Sequence, residues 1–459
     1  MRYEEYKKSE YDWLPEIPAH WQQLYIQQVS HEQKNKNIGM RENLVLSLSY
    51  GQIIRKKNVD AGLVAKDLST YQIVDKDNII LRFTDLQNDH KSLRTGLVKE
   101  RGIITAAYTC IVPTINAAYL HYVLHSYDTR KVFYGMGGGV RQSIGFDDIR
   151  HMYVPVPPRK EQDQIVRYLD WKVSCINKLI HGYQRQLDLV EERWRTIENH
   201  VCLNGLHKVA LKDSGNKWIG NIPYGWETIK LGQFCSFQNG ISESGDFFTD
   251  GSPFVNYSDV YRHLELPENV SGTAKSNEKQ QKIYSVQEGD IFFTRTSENI
   301  EEAGMAAVCL HTIANAVFSG FLIRCRPTKN IVDTNFIKYY LQIPAVRNHF
   351  SSTMNIVTRA SVGQYLLRQL AVVVPPMEEQ HEIADYLDDE SRKYERIKRN
   401  IQHEVALLKE YRTRLISDVV TGQMDVRGVV IPDYTPEDDT DENEADEEQT
   451  DEEVSMDAD

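Results

Sequence analysis

The sequence predicts an α/β (α+β) chain in which two globular domains alternate with two long coiled-coil helices, followed by a disordered acidic tail. Three observations carry this prediction: a set of motifs that occurs twice, two long heptad-patterned runs, and a terminal block with no basic residue.

The first repeated element opens each half. Trp13-Leu14-Pro15-Glu16-Ile17-Pro18-Ala19-His20-Trp21 returns as Trp218-Ile219-Gly220-Asn221-Ile222-Pro223-Tyr224-Gly225-Trp226, and both keep W-x-x-x-I-P-x-x-W. The second closes each globule. Val154-Pro155-Val156-Pro157-Pro158-Arg159-Lys160-Glu161-Gln162 recurs as Val372-Val373-Val374-Pro375-Pro376-Met377-Glu378-Glu379-Gln380, and the match runs on through Ile165, Tyr168, Leu169 and Asp170 against Ile383, Tyr386, Leu387 and Asp388. Duplication accounts for such agreement in order and content. The paired tryptophans read as packing anchors.

Between these ends lie blocks that differ in most of their sequence. Both carry short β-like runs, Asn78 to Phe83 and Asp290 to Arg295, and helical stretches near Tyr119 to Val132 and Asn335 to Phe350. The scaffold is shared and the surfaces differ.

Each Pro-Pro pair ends an extended segment, because proline disfavours helix in the residue before it, and the Glu-Gln that follows suits a first helical turn. Apolar residues then fall at Val173, Ile176, Ile180, Tyr183, Leu187, Val190, Trp194, Ile197 and Val201, in alternating steps of three and four. The second copy gives Ile383, Leu387, Tyr394, Ile397, Ile401, Leu408, Tyr411 and Leu415. Such seams predict long coiled-coil helices, with Gly205 and Gly422 near their ends.

The boundaries expected are 1–155 for the first globule, 156–207 for the first helix, 208–373 for the second globule, 374–427 for the second helix and 428–459 for the tail. Residues 433–459 hold 15 acidic residues and no Lys or Arg, so the rest of the chain is close to neutral despite a net charge of -13. A block of that composition lacks the apolar surface to order itself. It reads as a solubilising appendage or as a DNA-mimicking competitor.

At 459 residues, with 41% hydrophobic and 26% charged residues, the chain exceeds one core and belongs among soluble globular proteins. No run approaches the roughly 20 apolar residues of a membrane helix, and the start lacks the apolar centre of a signal peptide, so a cytoplasmic protein is expected. Cys110, Cys175, Cys202, Cys235, Cys309 and Cys325 are scattered, with no zinc-ligand spacing, and read as reduced, mostly buried thiols. No metal site is expected.

With both W-x-x-x-I-P-x-x-W openings, both P-P-x-x-E-Q helix starts and the closing Leu415-Ile416-Ser417-Asp418-Val419-Val420-Thr421-Gly422, residues 10 to 432 resemble the specificity subunit of type I restriction-modification systems. Further matches are Gly289 to Thr296 and the R-x-S-x-G of Arg141-Ser143-Gly145 and Arg359-Ser361-Gly363. The resemblance implies two target recognition domains, each reading one half of an asymmetric bipartite DNA site. It implies antiparallel spacer helices that bind two methyltransferase subunits, and restriction subunits where those are present. Double-stranded DNA is thus the expected ligand. S-adenosylmethionine, ATP and Mg are expected only in partner subunits, and this chain is expected to have no catalytic residues.

Candidate DNA contacts follow from side-chain chemistry, since Arg reads guanine and Asn or Gln reads adenine through paired hydrogen bonds. In the first globule they are Arg82, Thr84, Gln87, Asn88, Lys91 and Arg94; in the second, Thr294, Arg295, Thr296 and Asn299. A solvated loop is the plain alternative for both. Arg141, Ser143, Arg359 and Ser361 recur in both halves and suit phosphate positioning or support of the following strand. Candidate partner contacts on the helices are Tyr183, Leu187, Trp194, Ile401, Leu408 and Tyr411.

A stand-alone N6-adenine methyltransferase is the rival reading. Phe133-Tyr134-Gly135-Met136-Gly137 imitates a cofactor loop and Asn221-Ile222-Pro223-Tyr224 an adenine-reading loop. The first follows a polar helical stretch rather than a buried strand, and the second lies inside the duplicated opening motif. A coiled-coil adaptor without nucleic acid explains the helices but not two large divergent globules.

Overall fold

The computed structural model describes residues 2–11, 13–56, 67–84, 86, 93–136, 144–243, 245–297, 304–353 and 360–437. It divides into two compact units, Met1–Gln184 with Gln402–Asp459, and Arg185–Ile401. The division falls inside both long helices, Arg159–Asn204 and Met377–Val420, so each unit contains part of each.

The first unit opens with an antiparallel hairpin, Tyr6–Tyr11 against Leu14–Pro18. Gln22–Tyr25 then pairs with Tyr153–Val156, the strand that runs into Pro157-Pro158. Within this frame a six-stranded sheet has the spatial order Ser30–Gln33, Thr109–Pro113, Ile79–Leu81, Thr95–Leu97, Gln52–Arg55, Leu46–Ser49. Ile79–Leu81 is buried along its whole length, as its unbroken apolar run requires of a central strand. Helix Ala117–Thr129 is capped by Asn116, whose side chain accepts from Tyr119 N.

The second unit repeats the frame and changes the filling. Leu211–Asp213 pairs with Asn221–Pro223, and Glu227–Lys230 with Ala371–Val374, the strand before Pro375-Pro376. Inside lie a four-stranded sheet, Cys235–Asn239, Leu322–Pro327, Ile291–Thr294, Ala306–Val308, and a three-stranded one, Gly272–Ala274, Ser252–Val255, Val317–Phe318. Asp333 caps helix Thr334–Tyr340 as Asn116 caps its counterpart.

The duplicated motifs lock to one another in each unit. Trp21 is buried and its Nε1 donates to Glu161 Oε1 at 3.0 Å; Trp226 is buried and its Nε1 donates to Glu379 Oε2 at 2.8 Å. In the first unit Tyr3 Oη also donates to Glu161, at 2.7 Å. The next residue serves both helices at once. Gln162 donates to Pro157 O at 2.9 Å and accepts from Asn116 N at 3.0 Å, and Gln380 donates to Pro375 O at 2.8 Å and accepts from Asp333 N at 2.7 Å. A carbonyl stranded by two prolines and an orphan helix donor are thereby satisfied by a single amide.

Glycine ends both long helices because of the same tryptophans. Gly205 has φ +76° and a Cβ there would lie 3.0 Å from the Trp226 ring; Gly422 has φ +75° and a Cβ would lie 2.3 Å from Pro18 and 3.3 Å from the Trp21 ring. The first unit's core is therefore closed by Leu415, Ile416, Val419, Val420 and Val426, from the far end of the chain.

Along the first helix a polar row, Asn177, Gln184, Glu191 and Glu198, also repeats every seventh residue. In the first unit Arg412 Nη1 donates to Asn177 Oδ1 at 2.8 Å, and Tyr168 Oη lies 3.9 Å from Met424 Sδ, so the paired segments run antiparallel. In the second unit Lys398 lies 3.4 Å from Glu191 and Tyr394 stacks on Trp194 at 5.6 Å, again antiparallel. Such polar pairs specify register more than they add stability. They also correct the second seam. Ile397 is 40% and Tyr411 53% exposed, while Lys398 and Arg412, one residue on, face the partner segment.

Glu198 is buried, and burial pushes its carboxyl up to about 8 against the opposing pull of Arg195. The unfolded carboxyl ionises in the usual acidic range, so stability available at low pH is lost as pH rises from that range through about 8. Glu198→Gln is therefore expected to stabilise the second unit little at pH 5 and by up to about 4 kcal/mol at pH 9. Thermal unfolding at both pH values checks this; an equal gain at both would contradict it.

The six cysteines are free thiols, five of them buried. Among the described residues no helix is long and apolar enough to cross a membrane.

Candidate nucleic-acid interface

In the second unit four chain segments meet at one end of the four-stranded sheet. Strand Ile291–Thr294 ends there, and its continuation Thr296–Ser297 pairs with Ala360–Ser361. Arg295 N donates to Phe321 O at 2.9 Å and Arg295 O accepts from Val362 N at 2.8 Å. Gln364 Nε2 donates to Asn239 Oδ1 at 2.9 Å, which ties Cys235–Asn239 to the same end. The structure thus brings Arg295, Thr296 and Ser361 together, with Arg295 and Ser361 exposed and Thr296 half-buried.

Thr294 does not join them. It is buried and its Oγ1 accepts from Met305 N at 2.9 Å, so it stabilises the strand end and its expected base contact is withdrawn. Asn299 and Arg359 lie outside the described residues.

The first unit has a corresponding sheet end. Arg82 N donates to Arg94 O at 2.8 Å, and Phe83 O accepts from Ile144 N at 3.3 Å, where the second unit uses Arg295 and Val362. Arg82 and Thr84 are half-buried there. Arg94 is a second correction. It is fully buried, donating through Nη1 to Thr84 O at 2.6 Å and through Nε to Tyr134 Oη at 3.4 Å. Burying a guanidinium demands such partners, and it holds the strand end from within rather than reaching a ligand. Gln87, Asn88, Lys91, Arg141 and Ser143 lie outside the described residues.

Two exposed aromatics at the second unit's sheet end escaped sequence reasoning. Phe321 is 63% and Tyr365 78% exposed. Their signal was available only in part: Tyr365 lies two residues beyond the second R-x-S-x-G, whereas Phe321 sits in a Ser-Gly-Phe turn with no repeat counterpart.

On the long helices Tyr183 and Leu187 are half-buried and Tyr411 is exposed. Trp194 stacks on Tyr394 and packs edge-on to Tyr339 at 6.1 Å, and Leu408 packs on the first unit's core, so both are engaged within their own units. Ile401 is buried, which corrects its expected role as an open partner contact. Leu179, Leu189 and Leu407 are exposed apolar positions that lie off the heptad seams.

The two segments that imitate methyltransferase loops have other structural settings. Asn221–Pro223 is the second strand of the opening hairpin, paired with Leu211–Asp213. Val132–Gly135 is a short 3-10 turn after helix Ala117–Thr129, with Phe133 buried. Neither offers the strand-to-helix loop that cradles a cofactor.

Comparison with known proteins agrees with this frame. Residues 223–406 match the type I restriction modification DNA specificity domain. A type I restriction enzyme specificity subunit of Methanocaldococcus jannaschii is 22% identical over 451 residues, covering 92% of this chain and 97% of its own length. The EcoKI specificity subunit of Escherichia coli is 22% identical over 279 residues, 59% of this chain and 57% of that protein. A chain solved in work on assembly and conformational transition of the type I R-M system superposes with a TM-score of 0.66 at 15% identity, covering 89% of this chain and 99% of that one.

Proposed function

The chain belongs to the specificity subunits of type I restriction-modification systems, and from that premise we propose that each unit's globule reads one half of an asymmetric, bipartite DNA site. The observation that carries this reading is one frame built twice around unlike fillings. The Trp21–Glu161 and Trp226–Glu379 locks are equivalent, while a six-stranded sheet in one unit is replaced by four- and three-stranded sheets in the other. Equivalent frames present comparable surfaces to a duplex, and unlike fillings make the half-sites unlike in sequence.

The division of labour follows from the same reading. This chain supplies recognition without catalysis. Partner methyltransferase subunits, two per chain, bring S-adenosylmethionine to adenine, and restriction subunits, where present, bring ATP- and Mg-dependent cleavage. Exposed helix positions, Leu179, Leu407 and Tyr411 in the first unit and Leu189 in the second, are available to those partners. A near-neutral body is compatible with DNA binding when partner subunits share the phosphate contacts.

The test is to map N6-methyladenine across the genome of cells carrying the methyltransferase subunits, with and without this chain. A gapped, asymmetric motif that appears only with the chain is expected, and the purified chain alone is expected to neither bind S-adenosylmethionine nor methylate DNA. Cofactor binding by the isolated chain that is lost on changing Gly135 or Asn221 would overturn the proposal in favour of the methyltransferase reading.

A further inference from the structure

Phe321 stands at the tip of the turn between Val317–Phe318 and Leu322–Pro327, with buried residues, Phe318 and Leu322, close on either side. Its own ring is 63% exposed. The turn is held from three directions: Ser319 N donates to Val255 O at 2.9 Å, Gly320 N to Ile241 O at 2.7 Å, and Phe321 O accepts from Arg295 N at 2.9 Å. Two glycines permit that closeness. A Cβ at Gly320 would lie 2.2 Å from Ser242 Oγ, and one at Gly240 would lie 2.1 Å from Ser319 O.

The ring is therefore carried into solvent on a fixed turn. Leaving a phenylalanine side chain in water forgoes the roughly 1.5–3 kcal/mol that its burial would contribute. It does not stand alone, since Arg295, Ser361 and the 78% exposed Tyr365 share the sheet end, with the Asn239–Gln364 amide pair beside them. Arginine and amides discriminate guanine and adenine by hydrogen bonding. None of them matches the one apolar group in the major groove, the 5-methyl of thymine, and an aromatic ring does.

We propose that Phe321 is a specificity-determining residue of the second globule, making apolar contact with the 5-methyl group of a thymine in the half-site that this globule reads. The inference rests on the sequence-reading function proposed above. Because the backbone N–H of Arg295 donates to the carbonyl of Phe321 at 2.9 Å, the two side chains are presented from one bonded element.

The experiment uses the full chain assembled with its methyltransferase subunits and the motif mapped in cells. Each thymine of the second half-site, on either strand, is replaced in turn by deoxyuridine, which removes only the methyl group, and binding is measured for wild type, Phe321→Ala and Phe321→Leu. One replacement is expected to weaken wild-type binding about fourfold, the equivalent of one buried methyl group. Phe321→Leu is expected to keep that sensitivity. Phe321→Ala is expected to lose it and to broaden the methylated motif at that base pair alone.

Wild-type binding indifferent to every replacement, a second half-site without an A·T pair, or an unchanged motif with Phe321→Ala would each overturn this inference and leave the sequence-reading function standing. So would 2-aminopurine fluorescence that reports an unstacked base without any deoxyuridine effect, because the ring would then act as a wedge. An assembled complex that methylates no defined motif would overturn both.

Discussion

Trp21→Ala is expected to destabilise the first unit by about 3–5 kcal/mol, the range for emptying an aromatic-sized space in a core. The ring is fully buried among residues from both ends of the chain, and its Nε1 is a partner of the buried Glu161. Removing it opens a cavity against Gly422 and takes a donor from a carboxylate that is also bonded by Tyr3 and His20. Trp226→Ala is expected to do the same to the second unit through Glu379. Hydrogen exchange on the full chain separates the two, since each substitution should release amides in its own unit first. Trp13→Ala is the comparison, because that ring is only half-buried and contacts Tyr127 edge-on at 4.4 Å, so a smaller loss is expected. A loss below about 1 kcal/mol for Trp21→Ala would show that the lock is not what holds the unit together.

The second large effect concerns specificity. Exchanging the first globule's filling for the matching block of a relative should give a hybrid motif with the first half-site replaced and the second half-site and spacing kept. The structure says where to cut. Gln22–Tyr25 pairs with Tyr153–Val156, and Tyr25 stacks on Tyr153 at 4.3 Å, so both strands must come from one parent. An exchange of residues 26–152 meets that condition, because the two cuts lie side by side where Ile26 N donates to Met152 O at 2.9 Å. Single-molecule sequencing of genomic DNA reads the outcome. If both half-sites change together, or neither changes while the complex assembles, independent reading by the two globules is wrong.

Much of the frame was legible because it rests on local chemistry. Pro-Pro before Glu-Gln marked both helix starts within a few residues, and the duplicated Trp, Glu and Gln turned out to be the locks and clamps themselves. The second seam was misread for a physical reason: Lys398 and Arg412 occupy inward positions through charged and amide partners, which an apolar pattern does not register. The interface was less legible still. Arg94 and Arg295 are both DNA-contact candidates in sequence, yet a Thr84 carbonyl and Tyr134 draw the first inward while the second stands exposed at a strand end. An exposed Phe in a Ser-Gly-Phe turn carries no periodic or motif signal, and its position becomes visible only when Gly240 and Gly320 are seen to pin it.

The closure of the first unit by Leu415 to Val426 has a consequence for translation. The second unit is one uninterrupted stretch, Arg185–Ile401, whereas the first lacks its closing segment until that whole stretch has been made. At about 5–20 residues per second the delay is roughly 10–40 s. The usual N-terminal-first order is therefore expected to be inverted: limited proteolysis of stalled nascent chains should find the second unit protected first, while Ile17, Trp21 and Tyr119 await the closing segment.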